Sequence, residues 1–264
     1  MDWRDIKNFF DDQLDCWDLA RLNYQALEKV KTKSFKTGRL EGVVQFNPAR
    51  SVSTLANVDK ESIKQRNCFL CKTHRPKEQK GIELIQGWEL LVNPFPILPY
   101  HFTIAGKEHK PQILDIKTGI ELASNLPGMV VFFNDDGAGA SAPDHVHFQA
   151  VPINALPLIQ SLEKDFEIKD NDFPFHIEIR GYDEKSTNPV NAFFWKKETG
   201  AEVRWITIPR KAHRPSSYYL MPPFRRAISP GAIDMGGVLV TPIEEDFNRT
   251  ELSDIERIYQ EVGI

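Results

Sequence analysis

Nine consecutive residues, Asp144-His145-Val146-His147-Phe148-Gln149-Ala150-Val151-Pro152, restrict the fold more than any other stretch of this chain. Strand side chains alternate between faces, so an extended segment points His145, His147 and Gln149 one way and Val146, Phe148 and Ala150 the other. The apolar side demands a core. The polar side sets two imidazoles and an amide in a row, with same-face neighbours roughly 6.5–7 Å apart. A strand in a sheet, packed on one side and open on the other, meets both demands. That spacing lets one imidazole hold a metal while the next works on a phosphate. The plainer alternative is a half-buried strand with incidental histidines.

Length and charge narrow the setting. The 264 residues suffice for one large domain or two lobes. A net charge of -4 argues against a nucleic-acid polymer or an anionic membrane as partner, and leaves small nucleotides open. No apolar run approaches the ~20 residues of a membrane span. The opening Met1-Asp2-Trp3-Arg4-Asp5 is charged and lacks a signal peptide's apolar segment. Three cysteines are too few and too odd for a disulfide framework. The expected setting is a reducing cytoplasm.

Periodicity predicts helices over 1–31 (Ile6, Phe10, Leu14, Trp17, Tyr24, Leu27), 111–125, 155–168 and 251–262. It predicts strands over 39–47, 88–92, 101–105, 130–133, 175–179, 203–207 and 238–241. The stiff Asn93-Pro94-Phe95-Pro96-Ile97-Leu98-Pro99 connection joins two of them. The pattern changes after Asn171. The expected organisation is a first lobe, 1–170, and a smaller β-rich lobe, 171–264, packed as one unit.

Cys68-Phe69-Leu70-Cys71 reads as a zinc half-site, a redox pair or two buried thiols. The redox reading wants a thioredoxin-like context that is missing. His74 stands at C-x-x-C-x-x-H spacing and competes as a ligand with His109 and His145. A set of Cys68, Cys71, His109 and His145 would tie three distant segments together. The small-residue loop Asn134 to Ser141, with Gly137 and Gly139, is either a turn or a cradle of N–H groups for phosphate oxygens. Arg210, Lys211, His213 and Arg214 form the densest cationic cluster, an anion site or a solvated loop. Cys16 reads as a buried apolar residue. Gly139-Ala140-Ser141-Ala142-Pro143 lacks the second glycine of a serine-hydrolase elbow, and no mononucleotide P-loop occurs.

Taken in order, these segments resemble the histidine-triad (HIT) superfamily. They are closest to its galactose-1-phosphate uridylyltransferase-like branch, with the dinucleoside tetraphosphate phosphorylases and GDP-hexose phosphorylases. Asn93-Pro94-Phe95-Pro96, then Pro99-Tyr100-His101-Phe102-Thr103-Ile104 and His109, resemble that branch's nucleoside-binding strand pair and metal histidine. His147-Phe148-Gln149-Ala150 is similar to the GDP-hexose phosphorylases, with Gln149 where triad hydrolases carry a third histidine. Residues 209–215 and 228–237 are similar to C-terminal segments of phosphorylase-like members. An α/β (α+β) two-lobed HIT-like fold, antiparallel sheets flanked by helices, is what the resemblance implies.

The implied activity is nucleotidyl transfer or phosphorolysis of a nucleotide sugar or dinucleoside polyphosphate. His147 would form the covalent nucleotidyl-histidine, Gln149 would steady a phosphoryl oxygen, and Ser141 would contact phosphate. Asn93 and Phe95 would contact ribose and base. Arg50, Asn134, Gly137, Gly139, Arg210, His213 and Arg214 would bind substrate. Cys68, Cys71, His109 and His145 would hold a structural zinc. Phosphate or a sugar phosphate would be the acceptor; relatives include monomers and homodimers. A triad-type nucleotide hydrolase and a non-catalytic zinc-containing nucleotide-binding protein are the competing readings.

Overall fold

Seven strands pair antiparallel in the order β3-β4-β5-β7-β6-β8-β9. They are β3 (Gly81–Ile85), β4 (Trp88–Val92), β5 (Phe102–Gly106), β6 (Met129–Asn134), β7 (His147–Pro152), β8 (Val190–Trp195) and β9 (Arg204–Pro209). This is a computed structural model, and it describes residues 1–51, 60–182, 184, 186–197 and 202–264. A second sheet pairs β1 (Lys31–Thr37) with β2 (Leu40–Phe46) antiparallel and β2 with β10 (Val238–Thr241) parallel. The α/β expectation, antiparallel sheets with flanking helices, is borne out, except that the parallel β2–β10 pair makes the small sheet mixed.

One face of the large sheet is apolar apart from the buried Thr207 of β9. Phe102, Ile104, Val131, Phe133, Phe148 and Phe194 pack there against α1 (Trp3–Cys16) and α4 (Ile116–Asn125). A capping box fixes the start of α1: Asp5 N–H reaches the Asp2 carboxylate at 2.9 Å and Asp2 N–H reaches Asp5 at 3.3 Å. Ile6 and Phe10 then fall one turn apart on the buried side. The single helix expected over 1–31 is two. Trp17 takes an extended backbone, buries its indole and separates α1 from α2 (Asp18–Leu27). Cys16, expected buried, is exposed at that break.

The opposite face is shared. Phe132, Phe193, Trp195, Ile206 and Ile208 pack against the small sheet, α5 (Pro157–Lys164), α6 (Ala232–Met235), α7 (Glu244–Arg249) and α8 (Leu252–Val262). A short helix α3 (Lys60–Gln65) precedes the cysteine pair. The expected boundary near residue 170 does not divide two sheets, because β8 from beyond it pairs with β6 from before it. Residues 175–179 form no strand; Glu178 makes one bridge to Thr207 and Ile179 is exposed. The helix expected from 111 begins at Ile116, where Asp115 caps it. Residues before it lack regular structure and place Gln112 at the sheet's end, against the backbone of Asn134 and His147. Among the described residues, no helix is long and apolar enough to cross a membrane.

Candidate functional site

Register sets the site. Thr103 pairs with Gln149, Ala105 with His147, and Phe132 with Gln149. Thr103, Gln149, His147 and Phe132 therefore share a face, joined by Asn134 and its partner Asn191. β7 starts at His147 rather than at His145, because His145 N–H closes a turn onto the Ala142 carbonyl at 3.1 Å. The two histidines consequently serve different neighbourhoods.

His147 is almost fully buried and its tautomer is dictated. Nδ1 lies 2.8 Å from the His145 carbonyl, which only accepts, so Nδ1 carries the proton and Nε2 the lone pair. Burial, first of all, pulls its pKa down to about 4, so the ring is neutral at pH 7. The buried Gln112 side chain pins this end of the sheet: it accepts from His147 N–H at 2.8 Å and donates to the carbonyls of His147 (2.9 Å) and Asn134 (2.8 Å).

His147 and Gln149 open onto a cleft of about 500 Å³. Asn93, Phe95, Asn134, Gly139, Ser141, Arg50, His213 and Arg214 also line it, so most of the expected substrate residues come together. Gly137 does not line it; it sits at φ 81° in the same turn, against Pro189. At Gly139 the backbone is left-handed (φ 97°), and a Cβ would stand 2.6 Å from the Cα of Gly231, so the loop lies flush on the 228–237 segment. The N–H groups of Gly139, Ala140 and Ser141 bond to no other described residue, and Ser141 is exposed. Asn93 closes its own turn, accepting from Phe95 N–H at 2.9 Å and donating to Thr103 at 3.3 Å.

Arg210 is a correction. It is fully enclosed and does not line the cleft. Its donors go to Asn191 Oδ1 (2.6 Å) and to the carbonyls of Val262, Pro230, Ala212 and His213. A guanidinium so occupied braces the chain and has nothing left for a substrate. Lys211, beside it, is exposed and outside the cleft. Arg214 donates to Ser229 at 2.9 Å and stacks over Tyr218. Burial, then Arg214 and Arg210, push His213 down to about 4.

The structure adds Asp234 and Arg66 to the cleft wall. Asp234 accepts from the N–H groups of Gly231 (3.0 Å) and Val240 (2.9 Å), yet burial still pushes it up to about 6. Burial likewise pulls Arg50 down to about 10, with Asp234 opposing, which leaves it cationic at pH 7. Arg50 donates to the Phe95 carbonyl at 2.7 Å, and its Nε is buried without a partner. Arg66 pairs with Asp144 at 2.7 Å and stacks on Phe69. Also missed from the sequence is His101, fully buried, whose Nε2 lies 2.7 Å from Gln149 Oε1. It lies just before β5, and its place beside Gln149 follows from β5 lying next to β7, a relation that the local sequence does not carry.

On the other side of His145 stands a Cys2His2 cluster. One ligand atom from each of Cys68, Cys71, His109 and His145 lies within 4.8 Å of all the others. Measured contacts are 3.2 Å from Cys68 Sγ to His145 Nδ1, 3.3 Å from Cys71 Sγ to His109 Nδ1 and 3.5 Å from Cys71 Sγ to His145 Nδ1. Zinc–sulfur and zinc–nitrogen bonds in a tetrahedron give ligand edges of roughly 3.3–3.8 Å, so the donors fit that ion. His145 Nε2 bonds the Gly106 carbonyl at 2.8 Å, which leaves Nδ1 as the atom that could ligate a metal. Burial works against the Cys68 thiolate, but His145 and the N–H groups of Leu70 and Cys71 outweigh it and bring the thiol to about 6. His74 is outside this cluster.

Comparison with known proteins adds three findings. A family profile described as "Domain of unknown function (DUF4922)" matches residues 9–152, more than half of the chain. No curated protein matches in sequence. The solved structure of yeast Ap4A phosphorylase Apa2 is similar over 94% of this chain and 96% of that chain, with a TM-score of 0.60 at 15% identity. The same yeast enzyme is similar in its complex with AMP (TM-score 0.58, 16% identity, 95% and 97% covered) and with Ap4A (0.56, 15%, 95% and 97%). At such identities the likeness is one of fold.

Proposed function

The chain belongs to the DUF4922 family, and from that premise we propose that it is a nucleotidyltransferase or phosphorylase working through a nucleotidyl-histidine at His147. The observation that carries this reading is the His147 ring itself: neutral, with Nδ1–H held by the His145 carbonyl and Nε2 turned to a cleft. The fold it shares with an Ap4A phosphorylase supports the same class of chemistry.

The substrate is a nucleotide sugar or a dinucleoside polyphosphate. Nε2 donates its lone pair to the α-phosphorus as the bond to the bridging oxygen breaks. The leaving group departs as a sugar phosphate or a nucleoside polyphosphate anion, which needs no proton. The imidazole becomes an N-phosphorylated cation whose remaining Nδ1–H keeps its bond to the carbonyl. Inorganic phosphate or a sugar phosphate then attacks the phosphorus from its own oxygen, and the N–P bond breaks to restore neutral His147. Arg50, Ser141 and the N–H groups of the 139–141 loop offset the phosphate charge. Gln149 donates N–H but cannot deliver a proton as a histidine acid could, which disfavours water as acceptor.

Zinc at Cys68, Cys71, His109 and His145 would fix the strand entering His147, a supporting role. Intact-protein mass spectrometry tests the proposal. The enzyme is incubated briefly with UDP-glucose, GDP-glucose, GDP-galactose, ADP-glucose or diadenosine tetraphosphate and no acceptor. An acid-labile nucleoside monophosphate adduct, missing in His147→Ala, is the expected result. Free monophosphate without an adduct would replace the proposal with hydrolysis.

A further inference from the structure

Gln149 poses a problem of direction. An amide has an oxygen end and an N–H end, and only the N–H end can stabilise a phosphoryl oxygen. Something must decide which end faces the cleft. The group that meets the other end is His101, immediately before β5.

The proton on His101 is placed by its backbone. Ile97 N–H, which only donates, reaches His101 Nδ1 at 3.3 Å. Nδ1 therefore keeps its lone pair, and the neutral ring carries its proton on Nε2. Nε2 lies 2.7 Å from Gln149 Oε1. With the amide turned over, the same Nε2–H would meet an NH2 group, donor against donor. His101 is 0% exposed, so water does not substitute for either partner. Burial, with the Arg50 charge adding, holds the ring neutral by pulling its pKa down to about 3. Phe132, tilted 6.2 Å from the ring, closes that side.

Resting on the function proposed above, we infer that His101 is a positioning residue: it locks the Gln149 amide so that N–H, never the carbonyl oxygen, faces the phosphoryl group attacked by His147. His101 does not line the cleft and touches no substrate. A reversed amide would set its oxygen against phosphate oxygens and slow the transfer. It would also offer an acceptor for an attacking water, so fidelity for phosphate over water rests on the same bond.

The test compares the single-turnover rate of adduct formation in wild type, His101→Leu, His101→Gln, Gln149→Ala and the His101→Leu/Gln149→Ala double variant. One oriented donor to an oxyanion is worth roughly 10²–10³-fold in rate, so a disordered one is expected to cost about tenfold or more. His101→Leu should lose that factor in rate with KM nearly unchanged. His101→Gln supplies both an acceptor for Ile97 N–H and a donor for Gln149, and should recover most of it. In the Gln149→Ala background His101→Leu should lose nothing further. A wild-type rate in His101→Leu, or an equal loss in both backgrounds, overturns the inference.

Nitrogen-15 shifts of the His101 ring give a readout independent of turnover. Protonation at Nε2 is expected, and protonation at Nδ1 overturns the assignment. If His101→Leu does not fold, His101→Gln and the ring shifts carry the test. If wild type forms no adduct with any substrate, the proposed function fails, while the ring shifts still decide how His101 holds Gln149.

Discussion

The two faces of the seven-stranded sheet are buried to similar depth and built on opposite terms. Against α1 and α4 the face is dry, with Phe148 at its centre touching the rings of Trp88, Phe133 and Phe194. The other face buries His101, His147, Asn191 and Arg210 at 4% exposure or less. A dry face needs only volume and shape. A polar face needs every donor matched, because one buried unpaired group costs about 1–3 kcal/mol. The matching is also what fixes tautomers and amide ends. Apolar packing and matched polar groups are thus divided between alternate residues of a single strand.

Adjacent substitutions in β7 put that division under the sharpest strain. His147→Ala should abolish nucleotidyl transfer, by about 10³-fold or more, and leave the unfolding midpoint near wild type. Phe148→Ala, one residue on, should cost about 3–5 kcal/mol of stability and retain turnover in whatever fraction stays folded. Denaturant titration beside single-turnover rates separates them; a His147→Ala protein destabilised as much as Phe148→Ala would erase the contrast.

The metal cluster comes next. Cys68→Ser should lower bound zinc from about one per chain and reduce the melting temperature, since a tetrahedral site loses a ligand. Unchanged zinc content would remove Cys68 from the ligand set.

The pH response sharpens the comparison further. His101 is held at about 3 when folded and returns to its ordinary 6.5 when unfolded. The unfolded chain therefore takes up protons first as pH falls. Stability is full above pH 6.5 and declines toward pH 3, by about 1.4 kcal/mol per pH unit for each proton. His147 and His213 add to the decline in the same direction. His101→Gln should show a shallower decline between pH 6.5 and 4 in urea titrations, and an unchanged slope would contradict the buried neutral ring. The smallest effect belongs to the cleft wall: Arg50→Ala should weaken nucleotide binding by about tenfold, or 1.4 kcal/mol, by calorimetry.

What the sequence made legible follows the same division. Alternation and short spacing are local, so His147, Gln149 and the Cys68-x-x-Cys71 pair could be read directly. Strand β8 was not anticipated, because Val190-Asn191-Ala192-Phe193-Phe194-Trp195 is buried on both faces and shows little alternation. Phe175, Ile177 and Ile179 do alternate, yet lack a continuous partner strand. Arg210 and Arg214 look alike in sequence; tertiary packing sends one to carbonyls inside the chain and the other to the cleft. His101 and Gln112 matter through partners 48 and 35 residues away, a relation that no window on the chain contains.

The parallel pairing of β2 with β10 has a consequence for how the molecule comes into being. It joins residues 43–46 to residues 238–241, and the segment carrying Asp234 hangs on that late strand. During synthesis the β4-β5-β6-β7 layer can form early, with His147 already seated, while β2 waits with an edge unmatched. Contacts so far apart along the chain form slowly. The cleft gains the wall made by Ser229, Gly231 and Asp234 only when the C-terminal stretch arrives, so a nascent chain seats His147 before the cleft is closed on that side.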